Sequence, residues 1–346
     1  MPFEPVHIPP APVHPVPVDP TGRRGPTKAQ AAGPGWRWVA RNRYVPACVD
    51  RKLVQQRIAE AAIHLPPTGA VSGWAALWLL GAAYFDGSLL GRELPVLLSL
   101  GHGRGRRTPD GVALSYEPID QEEVFEIHGL RVLHPRRALF DDMRRHDDWR
   151  DAVVSFDMTA AARLTSRARM ERFCAEHASW RRSGGAARAL AHGDEYARSP
   201  RETRLRLLWT VDAGLPAPHV NRTIRGCDGA LVCVPDLFDE EAGLVVEYDG
   251  EDHRKRTRHA ADAGRYERCR ELALEYCMVT GPDMSAPTTV VHRLLGARQR
   301  SLFLPPSDRR WVIAPRDTEP LDAYLDRRER FARELWEQRG VRIVPW

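Results

Sequence analysis

Two neighbouring stretches, residues 232–238 and 245–249, constrain the fold of this chain most. In both, every second side chain faces the same way if the stretch is a β-strand, and acidic residues take positions on that face. The residues between them, 239–243, have the length of a hairpin loop and end in a glycine. A hairpin at this loop sets Glu247 opposite Asp236, within one residue. The sequence therefore predicts two adjacent strands that bring carboxylates to one edge of a sheet.

The side chains at this edge are suited to holding a cation. Asp236, Glu247 and Asp249 supply three carboxylates, and His253 follows closely. Carboxylates that crowd together repel unless a cation lies between them, and hard oxygen ligands suit Mg²⁺ or Mn²⁺. Such an ion can activate water and neutralise charge on a phosphate, which indicates metal-dependent phosphodiester hydrolysis. The alternative is an ordinary Asp-Gly turn beside acidic residues that are simply solvated.

A fourth carboxylate, that of Glu202, lies upstream at the start of a predicted helix. Ser199 stands at the N-cap, Pro200 at the first helical position and Glu202 at the third, which is the pattern of a capping box. Gly214 stands where a C-cap glycine belongs. Capping alone accounts for Glu202, but a glutamate at a helix start can also face a metal site.

This order of motifs resembles the PD-(D/E)XK nuclease superfamily, and within it the very-short-patch-repair endonucleases and domain of unknown function 559. The resemblance covers residues 199–283. It implies a restriction-endonuclease-like fold, an α/β architecture with a mixed sheet flanked by helices. It also implies that Asp236 is a metal ligand and that Glu247 and Asp249 complete the site.

The same resemblance implies roles for the remaining site residues. Glu202 corresponds to the helix acid of the family, and His253 to the histidine after the second strand. Asp249 replaces the lysine that the wider superfamily carries, so His253 or Lys255 would supply proton transfer or charge stabilisation. Asp262 and Arg265, on one helix face, would support the site; a surface salt-bridge ladder is the alternative.

The densest cationic run of the chain follows these acidic residues directly. Next to the carboxylates, such a run is suited to binding the phosphates of the substrate. Arg265 is predicted to contact DNA together with this run. The predicted nucleic-acid-binding residues are Arg254, Lys255, Arg256, Arg258 and Arg265.

Composition narrows the possible partners, cysteine sites and cellular location of the protein. The formal charge of +5 is compatible with a polyanionic partner without demanding one. The six cysteines never form a Cys-x-x-Cys pair, which argues against a zinc site, and without a signal sequence a disulfide framework is not expected. The longest apolar run, residues 75–85, is too short to span a bilayer, so we expect a cytoplasmic protein.

Four segments are predicted along the chain. Residues 1–34 are Pro-rich and predicted to be a disordered tail, and residues 35–190 to form a smaller α+β domain. The nuclease-like domain is predicted at 196–300. Residues 301–346 form an extension with an amphipathic helix, which could cover a sheet edge, join an oligomer or pack on the front domain.

The front domain resembles the AbiEi-type antitoxin region. The resemblance rests on residues 71–81, which begin Val-Ser-Gly-Trp-Ala-Ala-Leu, and on a basic hairpin at 36–47 that is similar to the wing of a winged helix. The Pro-rich tail takes the place of that family's helix-turn-helix. Arginines of the hairpin and of the loop at 104–107 could contact phosphate, or form a solvated charged face.

The sequence thus predicts an Mg²⁺- or Mn²⁺-dependent endonuclease that hydrolyses DNA phosphodiester bonds. Two alternatives stay open. One is an antitoxin-like DNA-binding regulator, and the other is an inactive nuclease fold that serves as an interaction module.

Overall fold

A computed structural model describes residues 7–101, 107–249 and 256–339, with the side chains of 256–263 and 335–339 left out of the description. The described part of the front half contains nine strands. They are β1 Trp36–Ala40, β2 Arg43–Pro46, β3 Ala70–Ser72, β4 Ser88–Leu89, β5 Arg92–Glu93, β6 Val96–Ser99, β7 Val112–Ser115, β8 Val124–Ile127 and β9 Leu130–Leu133. Its helices are α1 Lys28–Ala31, α2 Val54–Ala62, α3 Gly73–Leu79, α4 Pro135–Met143, α5 Trp149–Ala161, α6 Arg167–Glu176 and α7 Ser183–Ala191.

The second half contains the remaining strands and helices. The strands are β10 His219–Val220, β11 Ile224–Gly226, β12 Leu231–Cys233, β13 Leu237–Asp239, β14 Leu244–Asp249, β15 Glu275–Thr280 and β16 Trp311–Ile313. The helices are α8 Pro200–Leu207, α9 Arg256–Glu271, α10 Pro287–Arg300 and α11 Leu321–Arg339, and a single π-helical turn, Leu208–Asp212, extends α8. The mixed α/β class predicted from the sequence is confirmed. No described helix is both long and apolar enough to cross a membrane.

The front half is built on a five-stranded mixed sheet with the order β7-β6-β3-β9-β8. The stretch after Ser72 forms α3, and all residues of this helix are buried because the stretch is apolar on every side. The basic hairpin is β1 paired antiparallel with β2, as predicted.

The Pro-rich segment differs from the predicted disordered tail over the residues described. The side chain of Gln56 accepts a hydrogen bond from the Val13 amide at 3.1 Å and donates one to the Val13 carbonyl at 3.0 Å. Val16 forms a β-bridge with Tyr44 of the hairpin. An extended proline-rich chain leaves its remaining backbone groups unpaired, and these partners satisfy them on the surface of the front half.

A four-stranded mixed sheet with the order β10-β13-β14-β15 forms the centre of the second half. Its first three strands run antiparallel, and β15 lies parallel to β14 after the crossover through α9. One sheet face, with Leu237 and Val246, packs on side chains of α8 and α10. The other face, with Phe238 and Val245, packs on Cys269 of α9 and on the small sheet β12-β11-β16.

Both halves contribute side chains to one continuous apolar core, whose buried residues range along the sequence from Ile58 to Ala297. Helices α5 and α8 meet in this core, on either side of the boundary predicted between residues 190 and 196. The extension also joins the rest of the protein. Of the three placements left open, α11 packs on the front half, where Arg169 of α6 forms ion pairs with three acidic residues of α11: Asp322, Asp326 and Glu329.

Candidate functional site

The strand predicted over residues 232–238 is divided in two. β12 ends at Cys233 and β13 begins at Leu237, and the two strands belong to different sheets. Pro235 lies in the crossing between them and lacks the N–H group that a continuous strand requires. The alternation that predicted one strand is therefore interrupted, and Asp236 stands immediately before β13.

The predicted pairing of Asp236 with Glu247 is confirmed. Leu237 pairs with Val246 and Phe238 with Val245, so the same register places Asp236 level with Glu247. The carboxylate of Asp236 accepts a hydrogen bond from the Tyr248 amide at 2.6 Å, which ties the start of one strand to the other. The loop that sets this register carries Gly243 at φ +70° at its end, as the sequence predicted.

Glu202 joins this pair from α8. The Ser199 hydroxyl accepts a hydrogen bond from the Glu202 amide at 3.2 Å, so the predicted N-cap is present. The Glu202 carboxylate does not complete the capping box. Instead it accepts hydrogen bonds from the Arg198 amide at 2.9 Å and from the Asn221 side chain at 2.8 Å. These contacts hold it beside the strand edge.

The pKa of Asp236 reflects the nearby carboxylates. Burial raises the pKa of Asp236 to about 7, and the negative charges of Glu202 and Glu247 act in the same direction. The hydrogen bond from Tyr248 and the charge of Arg198 oppose the rise only in part. The structure thus places Asp236 where the negative charges of Glu202 and Glu247 both act on it.

Glu247 is the member of the cluster that already has a cationic partner. Arg265 of α9 donates to both of its carboxylate oxygens, at 2.9 and 2.8 Å, and the Tyr276 hydroxyl donates at 2.7 Å. Burial, together with the neighbouring Glu247 charge, raises the pKa of the Tyr276 hydroxyl. Arg265, predicted to contact nucleic acid, is here an ion-pair partner of Glu247 inside the site.

Of the remaining predicted site residues, Asp249 has a described side chain, and it is not part of the cluster. Asp249 is exposed at the end of β14. His253, Arg254 and Lys255 lie outside the described residues, and so do the side chains of three helical residues, Arg256, Arg258 and Asp262.

The carboxylates of the site can be compared with the ligands that a divalent cation requires. Among the described residues, no group of three or more His, Cys, Asp or Glu side chains is arranged to hold a metal ion, so the ligand set Asp236, Glu247 and Asp249 is not formed as predicted. Mg²⁺, however, commonly uses one or two carboxylates and completes its shell with water and substrate phosphate. Asp236 and Glu247 fit a site of that open kind, with Glu247 exchanging its contact with Arg265.

Three contributors to the site were not predicted from the sequence. Tyr276 reaches Glu247 because β15 lies beside β14, and Asn221 and Arg198 lie next to Glu202. Asn221 follows β10 at φ +49°. A local signal existed only for Asn221, since asparagine is enriched among non-glycine residues with positive φ.

No protein family, curated protein or solved structure matches this chain. The proposed function therefore rests on the arrangement of these side chains.

Proposed function

We propose that this protein is a divalent-metal-dependent endonuclease that hydrolyses DNA phosphodiester bonds at the edge formed by β13 and β14. The observation that carries the proposal is the register of the two strands, which sets Asp236 level with Glu247 while Glu202 approaches from α8. A buried carboxylate that lies close to two others is suited to a hard cation. The order of capped helix, Pro-Asp strand and Glu-x-Asp strand supports a restriction-endonuclease-like fold for residues 196–300.

In this proposal Asp236 and Glu247 hold the ion, Mg²⁺ or Mn²⁺. When bound, such an ion supplies an activated water and neutralises charge on the phosphate. Glu202 is fixed by Asn221 and by the Arg198 amide, so that it orients the cluster and keeps the local charge negative. Tyr276 of β15 holds the Glu247 carboxylate in position, and Arg265 of α9 would give up its contact with Glu247 when the ion binds.

Nicking of supercoiled plasmid DNA tests this function. With Mg²⁺ or Mn²⁺ present, we expect the wild type to convert supercoiled plasmid to the open-circular form. We expect Asp236→Ala to reduce the rate at least about 100-fold, because a catalytic cation is worth several kcal/mol in the transition state. Glu267→Gln is the matched control, since it removes a carboxylate from the exposed face of α9 and should cleave like the wild type. Absence of cleavage by the wild type, on duplex and on single-stranded DNA, would contradict the proposal.

One observation favours a second candidate, a DNA-binding regulator whose nuclease-shaped half does not cleave. Glu247 is held in an ion pair by Arg265, which in this arrangement takes the place that a cation would occupy. This candidate predicts salt-dependent DNA binding that is unchanged in Asp236→Ala, together with no cleavage by the wild type.

A further inference from the structure

A cleft of about 790 Å³ opens beside the carboxylate cluster. Its walls come from five parts of the chain: the end of α5 with the following Arg163, residues 195–198, residues 221–223, Val234, and residues 315–327. The last of these belongs to the C-terminal extension. The cleft is thus formed where the front half, the second half and the extension meet.

The cleft is continuous with the candidate site through two residues. Asn221 lines the cleft and donates its hydrogen bond to Glu202. Arg198 also lines the cleft, and its charge acts on Asp236. A chain molecule that lies in the cleft therefore reaches the carboxylate cluster at one end.

Positive charge dominates the lining. Five arginines face the cleft against three acidic residues, and one of those acids, Glu319, is paired with Arg327 at 2.8 Å. Among the described residues the Arg198 guanidinium forms no hydrogen bond, whereas that of Arg222 already donates to the Ala314 carbonyl at 2.6 Å. Arginine forks with spare donors are suited to phosphate oxygens.

Aromatic rings stand between these charges. The Arg316 guanidinium lies 3.3 Å from the ring centroid of Tyr196, which itself is 37% exposed. Arg163 lies 4.9 Å from the ring centroid of Tyr324 in the same cleft. Tyrosine rings and stacked guanidinium planes are the surfaces on which unpaired bases stack, and every base has such a face.

We propose that this cleft binds a short single-stranded DNA segment and leads it to the carboxylates at Asp236. Arginine and tyrosine side chains in one cleft match the phosphates and the bases of one strand. The volume lies within the range of pockets that enclose small ligands, about 300–1,000 Å³, which suits a few unpaired nucleotides and not the wider double helix. That the bound strand leads to the carboxylates rests on the proposed nuclease function. Binding in the cleft can be measured without cleavage.

Fluorescence anisotropy with a labelled oligothymidine of about 12 nucleotides tests the proposal, a length within the site sizes of single-strand-binding folds. The titrations are made in EDTA, so that no cleavage occurs. We expect Arg198→Gln to weaken binding about five- to tenfold and to reduce the slope of log K against log[salt] by about 0.7, the value for one phosphate contact on a single strand. We expect Tyr196→Leu to weaken binding roughly tenfold, through lost stacking.

Arg172→Gln is the matched control, because it removes the same charge from an exposed position of α6 outside the cleft. Its binding should equal that of the wild type. The proposal is overturned if both cleft variants behave like Arg172→Gln, if the wild type does not bind the oligonucleotide, or if duplex DNA or thymidine monophosphate binds as tightly. Binding through the cleft without plasmid cleavage would refute only the nuclease, and cleavage with unchanged binding in both variants would refute only the cleft.

Discussion

Asp236→Asn is expected to stabilise the cation-free protein at pH 8 by as much as roughly 4 kcal/mol and to leave its stability unchanged at pH 4. The pKa of Asp236 is raised to about 7 in the folded protein by burial and by its acidic neighbours. The folded state therefore binds this proton more tightly than the unfolded chain does. Below the pKa that Asp236 has in the unfolded chain, its side chain is protonated in both states and does not change the free energy of unfolding. As pH rises towards 7, ionisation is resisted only in the folded state, so the wild type loses stability.

Asparagine keeps the hydrogen bond from the Tyr248 amide but carries no charge. The difference in unfolding free energy should therefore grow between pH 4 and pH 7 and then remain constant. Urea denaturation in EDTA at pH 4, 6 and 8 measures it. Asp249→Asn, at an exposed position of β14, is the matched control and should show little pH-dependent difference. An Asp236→Asn protein that is less stable than the wild type at pH 8 would contradict the crowding described at this edge.

Arg206→Met is expected to destabilise the protein by about 3–5 kcal/mol, because it leaves a buried carboxylate without its cation. Arg206 of α8 donates to Asp157 of α5 at 2.7 Å, and Asp157 is fully buried. Burial raises the pKa of Asp157 to about 6 even with Arg206 present. Thr203 also donates to this carboxylate, so the pair fixes the helix that begins with the Glu202 turn against the front half.

Thermal and urea denaturation at pH 8 measure this effect. Arg150→Met is the matched control, since its partner Asp212 is about one-third exposed and such a pair contributes about 0–1 kcal/mol. The deficit of Arg206→Met should shrink as pH falls towards 4, where Asp157 is protonated in the folded state and no longer carries a buried charge. A deficit below about 1 kcal/mol at pH 8 would mean that water reaches Asp157 and that α5 and α8 are held together less firmly than their contacts indicate.

The parts of the site that the sequence predicted are those fixed by local rules. The Ser199 cap follows from neighbouring residues, and the pairing of Asp236 with Glu247 follows from the length of one hairpin loop. The division of the strand at Pro235 was not predicted, because the alternation of side chains continues through it. The proline was the available signal, and it was outweighed by the apolar pattern.

Contacts between distant parts of the chain could not be predicted in the same way. The register of β15 on β14 depends on how α9 crosses the sheet, so Tyr276 could not be assigned to Glu247. Arg265 was expected both to contact DNA and to support the site, since a sequence does not show which anion an arginine meets, and the structure pairs it with Glu247. The docking of the Pro-rich segment depends on Gln56, which is 43 positions from Val13 in the chain.

Calorimetric titration with Mn²⁺ at pH 6.5 tests most directly whether Asp236 and Glu247 hold a cation. In buffers of different ionisation enthalpy, the wild type should bind Mn²⁺ and release protons, because a carboxyl group with a pKa of about 7 is largely protonated at this pH and must ionise to bind a metal. Asp236→Asn should bind at least about tenfold more weakly, since it lacks the anionic ligand, and should release no proton. Absence of Mn²⁺ binding by the wild type, or equal binding by both proteins, would contradict a metal site at this edge.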